Sequence, residues 1–512
     1  MRARRARLAL DSEAARMTRD LKVFLQRTAV HSLGKAQSRA RQNSIGRILA
    51  PVAGFAVSRL RQELHGMKAR VTKTVWEDLG QNISERLAFA LTPTLRFHEE
   101  LAEKVARGLK LVGSHRNASD ITLLESFAEF PDLLDTAARL ISSWIAAQLE
   151  LFARLFGEKE SLSTAFFSKR RHLRVVRIRA GLSDPHDGGR TVTMIEFAGG
   201  LRVIYKPRRC DGELFWFEAL RWLDRRGIHV GFRVPRILAQ KEHFWMEVLP
   251  RTDCKNVGQV RRFYFRWGIQ AALAQILGAM DLHRDNWLAV GSQPILVDAE
   301  LIGDANLARQ EKASLDRHLP AVLRTGLLPI TPRDRAGFYR GIAPLDEAVL
   351  KTAPAKCWPR CRGTVEKPSR YVEALAAGFQ AVTNLFSSRR MQKDFFKEVI
   401  LAIPGNVRVL SRATAQYVRL LRESLEARNM ISAGQRRRYL VRECRATAVN
   451  RSVGRAEARA LLRCDIPKFM EPPVRLPTSR QQFFSAAIGE LKQSSRLLRY
   501  RVLLGRRGTY KS

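Results

Sequence analysis

The sequence predicts an α+β chain in which a small antiparallel sheet lies between two long helical regions, and three observations carry that expectation. Residues 1 to about 165 are rich in Ala, Leu, Arg and Glu, with apolar residues at three- and four-residue intervals, as in Leu133, Leu134, Ala137, Leu140, Ile141 and Trp144. Next, β-branched and aromatic residues concentrate over 172–178 and 191–197, and Ala198-Gly199-Gly200 leads from the second run into Leu201–Lys206, a β-hairpin signature. From about 305 to 500 the helical spacing returns, broken by Pro- and Arg-rich loops near 328–334, 353–368 and 467–477.

Lys206 closes the second hairpin strand, and Pro207 limits any continuation of the ladder. Asp211 reads as the cap of a helix that carries Leu214, Phe217, Leu220 and Leu223 and stops at Gly227. Short strands are expected near 232–238 and 243–249, then a long apolar helix from 257 to about 280, and a buried strand at 294–298.

The chain has 512 residues, 45% of them hydrophobic, enough to bury substantial cores. Its 90 Lys and Arg outnumber 49 Asp and Glu, a formal charge of +41, so polyanions are the expected company. The basic N-terminus lacks an apolar segment of the kind that directs secretion, and no run reaches the roughly 18 apolar residues of a membrane span. Of six scattered cysteines only Cys357 and Cys361 lie close together, without the two further ligands a zinc site needs. These features fit a cytoplasmic protein with reduced thiols.

The chemistry is concentrated between Lys206 and Asp298. In Asp281-Leu282-His283-Arg284-Asp285-Asn286, the Asp-Leu pair and the Asn five positions after the Asp have the spacing of a kinase catalytic loop. The reaction explains that spacing: one carboxylate accepts a hydroxyl proton while an amide oxygen further along the same loop holds magnesium. Twelve residues on, Ile295-Leu296-Val297-Asp298 delivers a second carboxylate at a strand end, a hard oxygen ligand suited to Mg²⁺. Upstream, Val203-Ile204-Tyr205-Lys206 matches the strand whose lysine neutralises nucleotide phosphates. Ala279-Met280 replaces the usual His-Arg, Ala299-Glu300 replaces Phe-Gly, and no G-x-G-x-x-G precedes Lys206, so a distant kinase-like fold fits better than an ordinary protein kinase.

The segment from about 165 to 470 resembles the dehydratase domain of LanM-type, class II lanthipeptide synthetases. The resemblance rests on Leu182-Ser183-Asp184-Pro185-His186-x3-Arg190, Tyr205-Lys206-Pro207-Arg208, Arg262-Phe263-Tyr264, Asp281-Leu282-His283-x2-Asn286 and Val297-Asp298-x-Glu300. It continues through Arg408-x3-Arg412-x-Thr414-x2-Tyr417 and Glu457-x7-Asp465-Ile466-Pro467. The resemblance implies a lipid-kinase-like core, with a small β-rich N-lobe and a mostly helical C-lobe, and additional helical regions at both ends. It also implies a two-step reaction in which Ser or Thr of a precursor peptide is phosphorylated from ATP and the phosphate is then eliminated, leaving dehydroalanine or dehydrobutyrine.

Carried over by position, Lys206 and Arg208 would bind ATP, Asp281 would be the phosphorylation base with His283 in support, and Asn286 and Asp298 would hold Mg²⁺. Glu300 is a further candidate for the nucleotide site. Asp184, His186, Arg408 and Thr414 would serve elimination, which needs a base for the α-proton and cationic donors for the departing phosphate.

The expected organisation is a helical region 1–165, a kinase-like core 166–305, a helical region 306–480 carrying elimination residues, and a basic tail 481–512. Full-length relatives continue into a zinc-dependent cyclase, whereas this sequence ends 45 residues after Pro467, so it is not expected to close thioether rings: either a separate cyclase follows or dehydration is the end product, the retained motif residues arguing against a degenerate remnant. The basic surface suits a precursor peptide with an acidic leader. Three alternatives stay open: a peptide or small-molecule kinase without lyase activity, a basic nucleic-acid-binding protein, and a scaffold or pseudoenzyme. The second is disfavoured because no zinc finger, homeodomain or aromatic RNA-binding signature accompanies Arg436-Arg437-Arg438 and the arginines of 496–507.

Overall fold

A computed structural model describes residues 2–32, 44–65, 71–108, 123–168, 173–302, 319–330, 343–347, 356–402, 407–409, 411–448, 450–471 and 477–507. The architecture is α+β, predominantly helical with a small sheet. It forms two compact units, neither continuous in sequence: 1–207 with 242–247 and 414–467, and 208–241 with 248–413 and 468–512. Among the described residues no helix is long and apolar enough to cross a membrane.

In the first unit the expected helical region is present, and its centre is Pro131–Gly157, with Leu133, Leu140, Ile141, Trp144 and Phe152 buried along one face. The hairpin also forms: Thr193–Phe197 pairs antiparallel with Leu201–Lys206 from Thr193↔Tyr205 to Phe197↔Leu201. Gly199 and Gly200 close it with φ of 82° and 77°, conformations that cost a residue without Cβ nothing. Val175–Arg179 flanks one edge, paired with Thr193–Phe197, and Phe244–Glu247 flanks the other, aligned so that Lys206 faces Phe244.

The helices Thr414–Ser424, Gln435–Thr447 and Arg451–Leu462 return to this first unit. Arg436, 2% exposed, donates to Thr136 Oγ1 and to the carbonyls of Leu461 and Leu462. Asp132 accepts from the backbone N–H groups of Gly434 and Arg436, so two helix ends are bonded to Pro131–Gly157 through groups fully satisfied inside the core.

The second unit packs Asp211–Leu223, Val257–Ile276 and Val372–Leu385 around buried Trp216, Trp222, Trp267 and Trp287. Asp211 is the first helical residue and not its cap; Cys210 holds the cap position, and the Asp211 carboxylate takes the Arg209 guanidinium. Leu214 is 44% exposed, whereas the expected Phe217, Leu220 and Leu223 are buried together with Phe215, Trp216, Ala219 and Trp222. The long helix begins at the Asn256 cap and ends at Ile276, four residues before the expected stop, because Gly278 turns the chain with φ of 58°. The expected buried strand spans Gln293–Leu296 and is half of a hairpin with Trp287–Val290, closed at Gly291. After residue 476 the chain forms the helices Pro477–Gly489 and Leu491–Arg507, which bury Leu491, Leu498 and Val502.

Two of these helices touch backbone to backbone. A Cβ on Gly268 would lie 1.9 Å from the Leu375 carbonyl oxygen, and one on Gly378 would lie 1.9 Å from that of Phe265. Neither carbonyl belongs to a flexible side chain, so the helices must separate to admit a methyl group. Gly268→Ala or Gly378→Ala is expected to destabilise the second unit by about 1–3 kcal/mol or more. A thermal melt checks this, with Gly54→Ala, where a Cβ meets nothing within 4 Å, as the tolerated control.

Candidate active site

Within the second unit Asn286 joins the two halves of the motif. Its Nδ2 donates to the Asp281 carbonyl at 2.9 Å, and its own carbonyl accepts from Val297 N at 2.8 Å, next to Asp298. With Nδ2 committed to the Asp281 carbonyl, Oδ1 is the amide atom able to act as a ligand. Asp281 adopts a left-handed conformation, φ 58°, sparsely populated for a residue with a Cβ. Neighbouring bonds hold it there: Met280 N donates to Leu301 O at 2.9 Å and Leu282 N to Thr325 O at 3.0 Å, while Trp287 Nε1 donates to Leu282 O at 3.2 Å. His283 Nδ1 accepts from Asp285 N at 3.3 Å, which leaves the proton of a neutral ring on Nε2.

Burial pushes the Asp281 carboxyl above its ordinary value; His283 and Arg408 pull it back down, and Asp298 adds to the rise. Arg408, an elimination candidate, thus acts electrostatically on the phosphorylation candidate Asp281. Asp298 and Glu300 lie in a dense charge cluster. Arg208 donates to Asp298 Oδ1 at 2.7 Å and to Glu213 Oε2 at 2.9 Å, and its Nε lies 3.3 Å from Glu300 Oε2. Burial alone would lower the Arg208 pKa, but Asp298 and Glu213 raise it, so the guanidinium stays charged. Glu300 also accepts from Arg408 Nη1 and from Lys468 Nζ, the latter at 3.0 Å.

Arg208, expected at the nucleotide, is thus engaged with three carboxylates. Glu213 gave no sequence signal, since an acid in a first helical turn is ordinary. Gly212 permits its approach: a Cβ there would lie 2.1 Å from the Ala299 carbonyl, between the two acids of the strand end. Lys468 was equally silent, one residue beyond the Asp465-Ile466-Pro467 motif.

The first unit holds Lys206, Asp184, His186 and Thr414. Lys206 is 4% exposed, with its ammonium 5.5 Å from the centre of the Phe244 ring. His186 belongs to a tight loop tied to the chain after the helix Arg451–Leu462. Gly188 N and Gly189 N donate to the fully buried Asp465 carboxylate at 2.7 and 2.9 Å, and Ile466 N donates to Pro185 O at 2.8 Å. His186 Nδ1 lies 2.7 Å from the Ile466 carbonyl. A carbonyl only accepts, so Nδ1 carries the proton and Nε2 is the basic nitrogen of the neutral ring. Asp184 is exposed on the same loop, and Thr414 opens the helix Thr414–Ser424.

The family described as a domain of unknown function (DUF4135) matches residues 130–351 and 342–471, more than half of the chain. The chain belongs to this family, which is associated with the LanM-type lanthipeptide synthetases. One relative is the Lacticin 481/lactococcin biosynthesis protein LcnDR2 of Lactococcus lactis subsp. lactis, 23% identical over 143 residues. That match covers 25% of this chain and 16% of the relative's length.

The raised Asp281 value has a stability consequence with a definite sign. The folded chain holds this proton more tightly than the unfolded one, so the group's stabilising contribution is complete below pH 3.8 and is lost as pH rises through the folded-state value. Asp281→Asn is therefore expected to melt higher than the parent chain at pH 7, with the gap closing as pH approaches 3.8. Parallel melts across that range check it.

Proposed function

We propose that this chain modifies lanthipeptide precursors as a dehydratase: it phosphorylates Ser or Thr with ATP and then eliminates the phosphate. The observation that carries the reading is the grouping of Asp281, Asn286 and Asp298 through the Asn286 bonds, with Arg408 paired to Glu300 two residues beyond Asp298. A phosphorylation base and a cationic group for the leaving phosphate then belong to one cluster, as consecutive half-reactions on one residue require. The family membership and the lanthipeptide relative support the peptide substrate.

The residues present fit magnesium in kind. Among the described residues no group of three or more His, Cys, Asp or Glu is arranged to hold a metal. Mg²⁺ beside a nucleotide, however, is commonly held by one or two carboxylates together with phosphate oxygens, and the Asp298 carboxylate and Asn286 Oδ1 are such hard donors. Bound there, the ion would supply charge neutralisation on the phosphates. Asp281 would accept the proton of the attacking hydroxyl, its elevated pKa favouring that transfer. Lys206 would lower the charge on ATP, a lipid-kinase-like role. In the second half-reaction His186 Nε2 would take the α-proton and Arg408 would bind the phosphate as the Cβ–O bond breaks.

Incubation with ATP, Mg²⁺ and a Ser/Thr-containing precursor peptide should give the loss of one water per modified residue, read by mass spectrometry. Asp281→Asn should lower phosphorylation by about 10²-fold or more, and Lys206→Ala should abolish it. Arg408→Ala and His186→Ala should accumulate phosphopeptide. Persistent phosphopeptide from the parent chain selects the kinase without lyase activity, and an unmodified peptide overturns both readings.

A further inference from the structure

Arg408 is not the only cation on Glu300. Val407–Val409 and Phe469–Glu471 form an antiparallel pair in which Arg408 faces Met470 and Val409 faces Phe469. Side chains alternate across such a ribbon, so the residue two before Met470, Lys468, shares the face of Arg408 as its diagonal neighbour. Both reach Glu300, Arg408 to Oε1 and Lys468 to Oε2 at 3.0 Å. The three side chains are 10%, 9% and 14% exposed, so the charges meet away from bulk water, where they are least screened.

We propose that Lys468 and Arg408 form a phosphate cradle in which the Glu300 carboxylate holds the two cations in place until a phosphoryl group arrives. Glu300, whose Oε2 also lies 3.3 Å from Arg208 Nε, presents its two oxygens to Arg408 and Lys468, the same demand that a phosphate makes with its oxygens. An ammonium and a guanidinium bind a phosphate oxygen with the same N–H donors that they give a carboxylate, so an arriving phosphate can take the pair in exchange for Glu300.

The inference deepens the dehydratase reading and rests on it for its chemistry. Removal of the α-proton turns the Cα–H electron pair into the second bond of Cα=Cβ, the Cβ–O bond breaks, and its electrons leave on the phosphate. The extra negative charge develops on the phosphate oxygens as that bond opens. Two cations at those oxygens stabilise the departing group more than either does alone. Lys468 is therefore assigned as a residue that binds the leaving phosphate, with Glu300 as its positioning partner.

Two measurements test it. Inorganic phosphate binding, followed by titration calorimetry on the full chain, should weaken roughly 10- to 100-fold in Lys468→Ala, the loss of one charge-assisted hydrogen bond. It should be restored in Lys468→Arg and strengthened in Glu300→Gln, which removes the competing carboxylate. On a synthetic phosphoserine peptide, Lys468→Ala should slow elimination by a similar factor, while phosphorylation of the unmodified peptide by the same variant persists. A merely structural lysine would lose both half-reactions together, and that result overturns the proposal. Unchanged phosphate affinity in Lys468→Ala also overturns it, even if the parent chain dehydrates peptides normally. If the parent chain makes no dehydrated product yet the three variants shift phosphate affinity as stated, the cradle stands and the dehydratase reading falls.

Discussion

Asn286 is the small hinge on which the candidate chemistry depends. Its side chain bonds to the carbonyl of Asp281 and its main chain to Val297, so the loop with the proposed base is tied to the segment with the proposed metal ligand. The bond also fixes the amide: once Nδ2 is committed to Asp281, Oδ1 is the atom left to act as a ligand. Asp281 occupies an unfavourable backbone region, which persists only because bonds to Leu301 and Thr325 bracket it on both sides. A short polar side chain thereby converts two separate sequence features into one geometric unit.

Around that unit the second constraint is electrostatic. Arg208, Arg408 and Lys468 meet Glu213, Asp298 and Glu300 in a partly buried cluster, where each charge left uncompensated would cost several kcal/mol. Such a cluster is a weak source of net stability, because desolvation offsets most of the attraction. Its value is positional. It keeps the Arg208 guanidinium charged among carboxylates, and Gly212 lets the Glu213 helix come close enough to complete it.

The first unit solves a different problem with similar means. The loop that carries Asp184 and His186 has little apolar surface to bury, so it is held by polar bonds: two glycine N–H groups on Asp465 and the His186 ring on Ile466. The glycines have φ of 93° and 82°, which lets adjacent N–H groups converge on one carboxylate. The same bonds select the imidazole tautomer. Asp465 and Ile466 follow the loop by almost three hundred residues in sequence, and the unit is closed by that return.

Periodicity and turn chemistry were enough to read the helical N-terminal region, the Gly-Gly hairpin ending at Lys206, the apolar helix from Val257 and the spacing of Asp281, Asn286 and Asp298, because each depends on neighbours in sequence. The cap at Asp211 and the face assigned to Leu214 failed for lack of tertiary information: which side of a Trp- and Phe-rich helix is buried depends on what packs against it. The strand Trp287–Val290 escaped notice because four residues beside a charged loop form no pattern until their partner strand is known. Glu213 and Lys468 are ordinary charges in the sequence, and only the fold makes them partners of Arg208 and Glu300. Sequence by itself determined which residue types the chemistry has available and their order, since local spacing encodes loop and strand geometry. The tertiary structure alone decided which charges share a low-dielectric neighbourhood, since that depends on contacts such as Arg208–Asp298, Arg408–Glu300 and Lys468–Glu300, which are 90, 108 and 168 residues apart.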